Sequence, residues 1–517
     1  MKSLQKLIVI ILTVAMLIVC LAGTALAVEG EPEGLQEGTL IRVVTGDDYV
    51  TPVAFMSSSN NWLNFHIYDT LFTYVDGDWN NIRGALARDW AWAEDGMSIV
   101  LNLVENATFV SGRPVTADAV KRCFEYTAQY YPSYFDKIES IEATGDYELT
   151  ITFNAPYADF TSKFAISFMS IVDPDALDEF GDNSLEGAVG SGPYYIADYV
   201  SGEKMVLKAN TNYWDPEKYP HIETIEVLAI NDDNTAMMSL ITGDIDYYEP
   251  ANLDQVDNLE MYDEVYVIDG PKSNYCVWLN GTSATCPALA DQRVREAISH
   301  LINWDEVNLI VYGGDAETLT SPWHKGCTVD VDEGTIYYDP DKALALLEEA
   351  GVKPEDITLN TITAPSTVKF DTAVAGQLTT YGINVNINEY DIGGAMANGA
   401  QGNWDIWENG AAFTQAAPSF GFGTMIAQSG AMRTFMLDPE DPAAIKVQEL
   451  YEQANQAITI DEMNEYYKQC TSEIVKAYAF IGGLFKPNWG AFTNRLQGTY
   501  IENGYRYAIF FDAYIAE

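Results

Sequence analysis

Apolar and polar residues alternate along 39–45, and again along 194–200 and 204–208, with Ser201-Gly202 between the last two runs. A period of two sends successive side chains to opposite faces of a strand. The first run therefore predicts a strand, and the second pair predicts a β-hairpin. Gly190-Ser191-Gly192-Pro193, just upstream, predicts a tight turn, because glycine tolerates positive φ and proline fixes its own. Residues 138–153 divide into two further strands around Thr144-Gly145-Asp146. Helical periodicity appears elsewhere. Over 116–128, Thr116 is placed to cap a helix with Val120, Cys123, Phe124 and Thr127 on one face. Asp291 precedes a stripe of Val294, Ala297, Ile298 and Leu301. Asp339 and Pro340 open a third helix whose stripe is Leu344, Leu347 and Ala350, and Gly351 ends it. Strands and helices then alternate to about residue 390. The pattern is that of an α/β chain with antiparallel hairpins inserted.

The chain has 517 residues, of which 48% are hydrophobic and 20% charged, so two or three domains with full cores are expected. No linker tract or internal repeat separates them, which predicts interleaved domains. The N-terminus reads as a secretory signal over 1–27: Lys2 and Lys6, an apolar stretch over 7–21, and Ala25-Leu26-Ala27 as a small-x-small cleavage site. Cys20 is a poor site for lipid attachment, because Val19 stands where a small residue is needed and apolar sequence continues beyond it. Residues 28–38 read as an acidic, disordered leader. No other run approaches the ~20 apolar residues of a membrane span. The expectation is a soluble, exported protein at the periplasmic or extracellular face of the membrane.

Charge narrows the partners. With 27 Lys and Arg against 76 Asp and Glu, the net charge is −49, which repels phosphate backbones and excludes nucleic acid. Such a surface attracts cationic solutes, or simply solvates the exterior. Five cysteines remain after cleavage, an odd number. Cys276 and Cys286 flank a turn-like NGTSAT stretch and are the one candidate disulfide, and buried free thiols are expected for the others. Catalytic motifs are lacking. There is no G-x-S-x-G, no G-x-x-x-x-G-K-[ST], no H-E-x-x-H and no G-x-G-x-x-G. His66, His221, His300 and His324 are scattered without ligand spacing. Asp76-Gly77-Asp78-Trp79-Asn80 begins like a calcium loop, but Asn81 replaces the needed glycine and the twelfth position holds no Glu. Neither a metal, a cofactor nor an enzymatic activity is expected.

The stretch 190–214, GSGPYYIADYVSGEKMVLKANTNYW, resembles the G-[ST]-G-P-Y…G-E…N…Y-W signature of family 5 extracellular solute-binding proteins, receptors of oligopeptide, dipeptide and nickel ABC importers. Ile67-Tyr68-Asp69-Thr70-Leu71-Phe72, Ala85-Leu86-Ala87-Arg88-Asp89-Trp90, Asp95-Gly96 with 109–118, 291–298 and 339–351 resemble further family segments in the family's order. The resemblance implies a two-lobed periplasmic-binding-protein fold (cluster C, type II-like) with an extra inserted subdomain. Transferred to this chain, lobe I is 39–78, 191–276 and 487–517, the insert is 79–190, and lobe II is 277–486. It also implies a monomeric receptor that closes on a small solute and hands it to membrane permease subunits.

The same resemblance locates ligand contacts in 402–423, where peptide-binding relatives carry a "DYxDP" aspartate that anchors the α-ammonium. This chain departs there, offering Ala411, Ala412, Phe413 and Thr414, then Ala417 before Pro418. A buried ammonium without a carboxylate costs several kcal/mol, so either Glu408 substitutes or the ligand lacks a free amine there. Trp407, Glu408 and Phe413 are the expected ligand contacts, with Tyr49 after the first strand. Trp404 is a candidate more at home in the core, beside the framework residue Asp405. No histidine lies in 325–517, which removes a lobe II histidine ligand for nickel. The sequence reading is thus a non-enzymatic receptor for an oligopeptide-like solute. The alternatives are an oligosaccharide or modified-peptide receptor of the same fold, or a sensor without a transporter.

Overall fold

The computed structural model describes residues 35–44, 61–75, 78–182, 184–230, 232–250, 252–410, 418–426, 434–501 and 508–516. The secretory segment with Cys20, most of the leader, Tyr49 and Phe413 lie outside the described residues.

Among the described residues, ten strands join in one sheet path. In spatial order they are Asn384–Glu389, Thr358–Thr363, Ile406–Glu408, Val265–Leu279, Phe480–Thr493, Tyr247–Tyr248, Gln36–Val44, Ile222–Ala229, Lys204–Ala209 and Tyr194–Val200. The first three are mutually parallel, as are Gln36–Val44, Ile222–Ala229 and Tyr247–Tyr248. Between these two parallel groups run Val265–Leu279 and Phe480–Thr493, antiparallel to each other and far longer than the rest. A smaller antiparallel sheet stands apart, in the order Ala87–Trp92, Ser98–Leu103, Glu148–Phe153, Ile138–Gly145.

Two large cores flank the long strands. One gathers Leu40, Trp62, Tyr194, Ile225, Tyr247 and Phe492 together with Leu101, Phe124, Ile151 and Phe160 of the smaller sheet's region. That region therefore shares a single core with the first parallel group. The other core holds Trp278, Ile298, Leu347, Leu359, Trp407 and Phe480. Along the long strands, membership changes from the first core (Tyr266, Ile268, Phe492) to the second (Tyr275, Cys276, Leu484). The ladder register slips between Gly270 and Ser273, opposite Lys486 and Asn488. Pro271 and Pro487, which lack an N–H, fall at this crossing and interrupt the pairing.

Local patterning predicts many elements well. The hairpin forms as Tyr194–Val200 against Lys204–Ala209, with Gly202 at φ 67°. Thr116 caps Ala117–Tyr130 by accepting from Ala119 N, and that helix buries Val120, Cys123, Phe124 and Thr127. Asp291 caps Gln292–His300, and Asp339 caps Pro340–Ala350, which ends at left-handed Gly351.

Three expectations are corrected. Leu344 is 41% exposed, because the helix Pro340–Ala350 packs on Gln292–His300 through Ala343 and Leu347. The leader ends earlier than residue 38, since Gln36 already pairs with Ile222 and bonds Ile515 O through Nε2 at 3.3 Å. The candidate bridge is absent: Cys276 and Cys286 are both free. Cys276 points its thiol to Pro322 O at 3.4 Å from a ladder position, while Cys286 starts a separate 3₁₀ turn with its N–H on Ser283 Oγ.

Candidate functional site

Three sequence segments far apart in the chain meet on one carboxylate. Asp69 Oδ2 accepts from Ser191 Oγ at 2.8 Å and from Trp214 Nε1 at 2.9 Å, and Oδ1 accepts from Tyr213 OH at 2.8 Å. Glycine is required beside this hub. A Cβ at Gly190 would come within 1.9 Å of Ile67 O, and one at Gly192 within 2.5 Å of Ile67 C. Asn210 Nδ2 donates to Gly192 O at 3.0 Å and closes the base of the hairpin. The Gly-Ser-Gly-Pro segment is not the tight turn expected, since neither glycine has positive φ; with the Asn and the Tyr-Trp pair it forms one buried joint between the hairpin and the strand-and-helix segment before it. Burial pushes the Asp69 carboxyl above the ordinary aspartate range even against these three donors. The joint is structural, because each donor is fully committed.

Open α/β sheets bind ligands outside the carboxyl ends of their parallel strands. In the second parallel group those ends carry Thr363, Glu389 and Glu408. Glu408 is 9% exposed and lines a small cavity, of about 10 Å³, together with Asp371, Thr361, Val277 and Ile406. Asp371 sits in the first turn of the helix Val368–Thr380, which follows the strand ending at Thr363, and accepts from Thr363 Oγ1 at 2.5 Å. Burial raises the Asp371 carboxyl to about 7, even though Thr363 and Thr367 donate to it. Glu408 is raised well above the usual range, by burial first and then by the Asp371 charge, with Lys486 and the Gly410 N–H opposing. Lys486 lies at the crossing of the long strands, 5.3 Å over the Tyr275 ring and 2.9 Å from Asn488 Oδ1. Two buried carboxyls and one ammonium therefore stand where the second parallel group meets the crossing. Such a set can accept a cationic group once a proton leaves.

Trp404 and Trp407 are each 2% exposed, with ring centroids 5.6 Å apart. Trp407 projects from the face of its strand opposite Glu408, onto the helix Ile392–Gln401, where a Cβ at Gly399 would lie 2.1 Å from its ring. Trp404 Nε1 donates to Gly399 O at 3.2 Å. Both tryptophans pack the lobe interior. Asp405 accepts from Thr285 Oγ1 at 2.6 Å, from Asn360 N at 2.7 Å and Nδ2 at 2.6 Å, and from Ser283 Oγ, which ties the strand start to one loop and to the strand Thr358–Thr363. Asp371, Thr363 and Lys486 escaped the sequence reading. The signal that finds them is topological: Asp371 opens the helix that follows a parallel strand.

Comparison with known proteins bears on this geometry. The model of the bacterial extracellular solute-binding proteins, family 5 (middle region), matches residues 81–432, more than half of the chain. The chain belongs to that family. The binding protein is 26% identical over 363 residues to the probable D,D-dipeptide-binding periplasmic protein DdpA of Escherichia coli K12, covering 67% of this chain and 69% of that one. To the glutathione-binding protein GsiB of Pectobacterium atrosepticum it is 25% identical over 385 residues, covering 72% and 73%. Among solved structures, Helicobacter pylori DppA in complex with the peptide STSA superposes with a TM-score of 0.77 at 23% identity, covering 93% of this chain and 98% of that one. Brucella suis NikA in complex with Fe(III)-EDTA gives 0.80 at 19% identity, covering 92% and 100%. The binding protein thus has the two-lobed periplasmic-binding-protein fold, and its function is that of the substrate-binding component of an ABC importer. Of these relatives, DdpA is named as a periplasmic protein. Among the described residues, no helix is long and apolar enough to cross a membrane.

Proposed function

We propose that this receptor captures an oligopeptide-like solute as a monomer between two closing lobes, and that Glu408 with Asp371 receives the solute's ammonium. In this reading the protein acts outside the cytoplasmic membrane and passes its cargo to permease subunits. Lobe I comprises 39–78, 191–276 and 487–517, with 79–190 inserted and 277–486 as lobe II. The change of core membership between Ile268 and Tyr275 supports that division. The observation that carries the ligand assignment is the buried carboxyl pair at the carboxyl edge of lobe II. It supplies an acid in a chain that lacks the "DYxDP" aspartates. Relatives named for dipeptide, glutathione and peptide STSA favour a peptidic solute.

Binding by the closed form shifts the open–closed equilibrium through differential affinity. A solute present at a hundred times its Kd stabilises the fold by about 2.7 kcal/mol. A thermal-shift screen with di- to pentapeptide pools is therefore expected to raise the Tm, and the rise is expected to vanish when the same pools are N-acetylated. Glu408→Gln should abolish the difference between free and acetylated pools. Stabilisation by oligosaccharides alone, or equal stabilisation by both peptide pools, would overturn the assignment.

A further inference from the structure

The inserted subdomain shares its core with lobe I, yet it also grips lobe II. Phe420, in the short helix Pro418–Gly421, packs against both cores at once, and its ring centroid lies 6.5 Å from that of Tyr134. Beside it, Ser419 Oγ donates to Asp159 Oδ2, with both residues 5% exposed or less. Lys163 Nζ stands 3.4 Å from the same carboxylate. A second bond is made by Lys137, whose ammonium donates to Pro156 O at 3.0 Å within the insert and to Asn455 O at 2.6 Å in lobe II. A third contact is apolar: Ile458 Cγ2 lies 3.2 Å from where a Cβ on Gly96 would be, at the turn of the insert's first hairpin. Phe422 fixes the gripping segment to lobe II by stacking on Tyr467 at 4.3 Å and 6°.

Because insert and lobe I form one packed body, rotation of lobe II about the crossing near Gly270–Ser273 has to part these contacts. Opening would leave Lys137, whose ammonium burial already disfavours, with one carbonyl instead of two. It would also strip Asp159 of its hydroxyl donor. We propose that the contact of Asp159, Lys137 and Gly96 with Ser419, Asn455 and Ile458 is a clasp that fastens the closed arrangement without touching the solute. The clasp makes the insert a determinant of how long the lobes stay shut. It rests on the hinge motion proposed above, but on no particular ligand, so it is tested with none.

Small-angle scattering of the purified exported chain, free of solute, reads the lobe arrangement directly. Ser419→Ala, Lys137→Met and their combination are expected to raise the radius of gyration, most in the double variant, with far-UV circular dichroism unchanged. Amide exchange should speed up over 418–426 and 455–459 in the same order. Ile458→Ser, at a position 55% exposed and thus safe for folding, should act in the same direction. If the variants lower the Tm but leave the radius of gyration and the exchange rates as in the parent, the contact is ordinary packing and the proposal fails. An insensitive Ile458→Ser overturns it even where Lys137→Met does not fold.

Discussion

Asp371 and Glu408 bring two carboxyls into a part of lobe II with little water to solvate them. The groups that face them are Thr363 and Thr367 as donors, Lys486 as the cation, and Tyr312 and Cys276 as neutral neighbours that burial keeps protonated. Asp371 titrates near 7 in the fold against an ordinary value of 3.8, so the folded state binds its proton more tightly than the unfolded chain. The resulting stabilisation is full below pH 4 and is lost as pH rises through 7, amounting to a few kcal/mol. Asp371→Asn cannot titrate. Urea unfolding at pH 5 and pH 8 should therefore show a smaller difference in the variant than in the parent, with the parent the more sensitive to alkalinity. Peptide affinity should run the other way and increase over the same interval, because an ammonium gains from the Asp371 carboxylate that forms there. Asp69 illustrates what sequence withholds at this scale. Its own segment and those of Ser191, Tyr213 and Trp214 were each recognisable, but their convergence spans 122 to 145 residues and no local pattern encodes it.

Secondary-structure elements were legible wherever a cap or a turn residue coincided with a periodic stripe. Thr116, Asp291 and Asp339 each accept the N–H their sequence position predicts, and the 194–209 hairpin turns where Gly202 allows it. The long strands Val265–Leu279 and Phe480–Thr493 were not legible as a pair. Their partners lie more than 200 residues apart, and each carries a proline that argues against a continuous strand. Phe480–Thr493 depends on its glycines: a Cβ at Gly483 would fall 2.0 Å from Tyr275 O. Gly482 has φ 116°, and a Cβ there would fall 2.1 Å from Trp304 Nε1. Gly482→Ala combines an unfavourable backbone with a collision against a buried indole. It is expected to cost more than about 3 kcal/mol, enough to lower the Tm clearly in a thermal melt. A variant melting with the parent would mean that the strand can shift.

At the scale of the molecule, a net charge of −49 on one folded body sets up self-repulsion. Raising ionic strength from 0.01 M to 0.15 M shortens the screening length from about 30 Å to about 8 Å. The Tm is expected to rise with added sodium chloride over that range. A flat response would show that the acids are spread widely enough to act only as a solvated surface. The long antiparallel pair has a different kind of consequence. The first parallel group opens with the strand Gln36–Val44, but its sheet is completed only by Phe480–Thr493, and Ala508, Phe510 and Phe511 plug its core. A chain emerging N-terminus first cannot finish this part of the sheet until residues 480–511 have arrived. The other parallel group, drawn from 358–408, is free to form while the first waits as an incomplete sheet with an open edge. The protein's period of greatest exposure to proteases and to misassembly is therefore expected to depend on the time taken to synthesise or translocate the stretch 480–511.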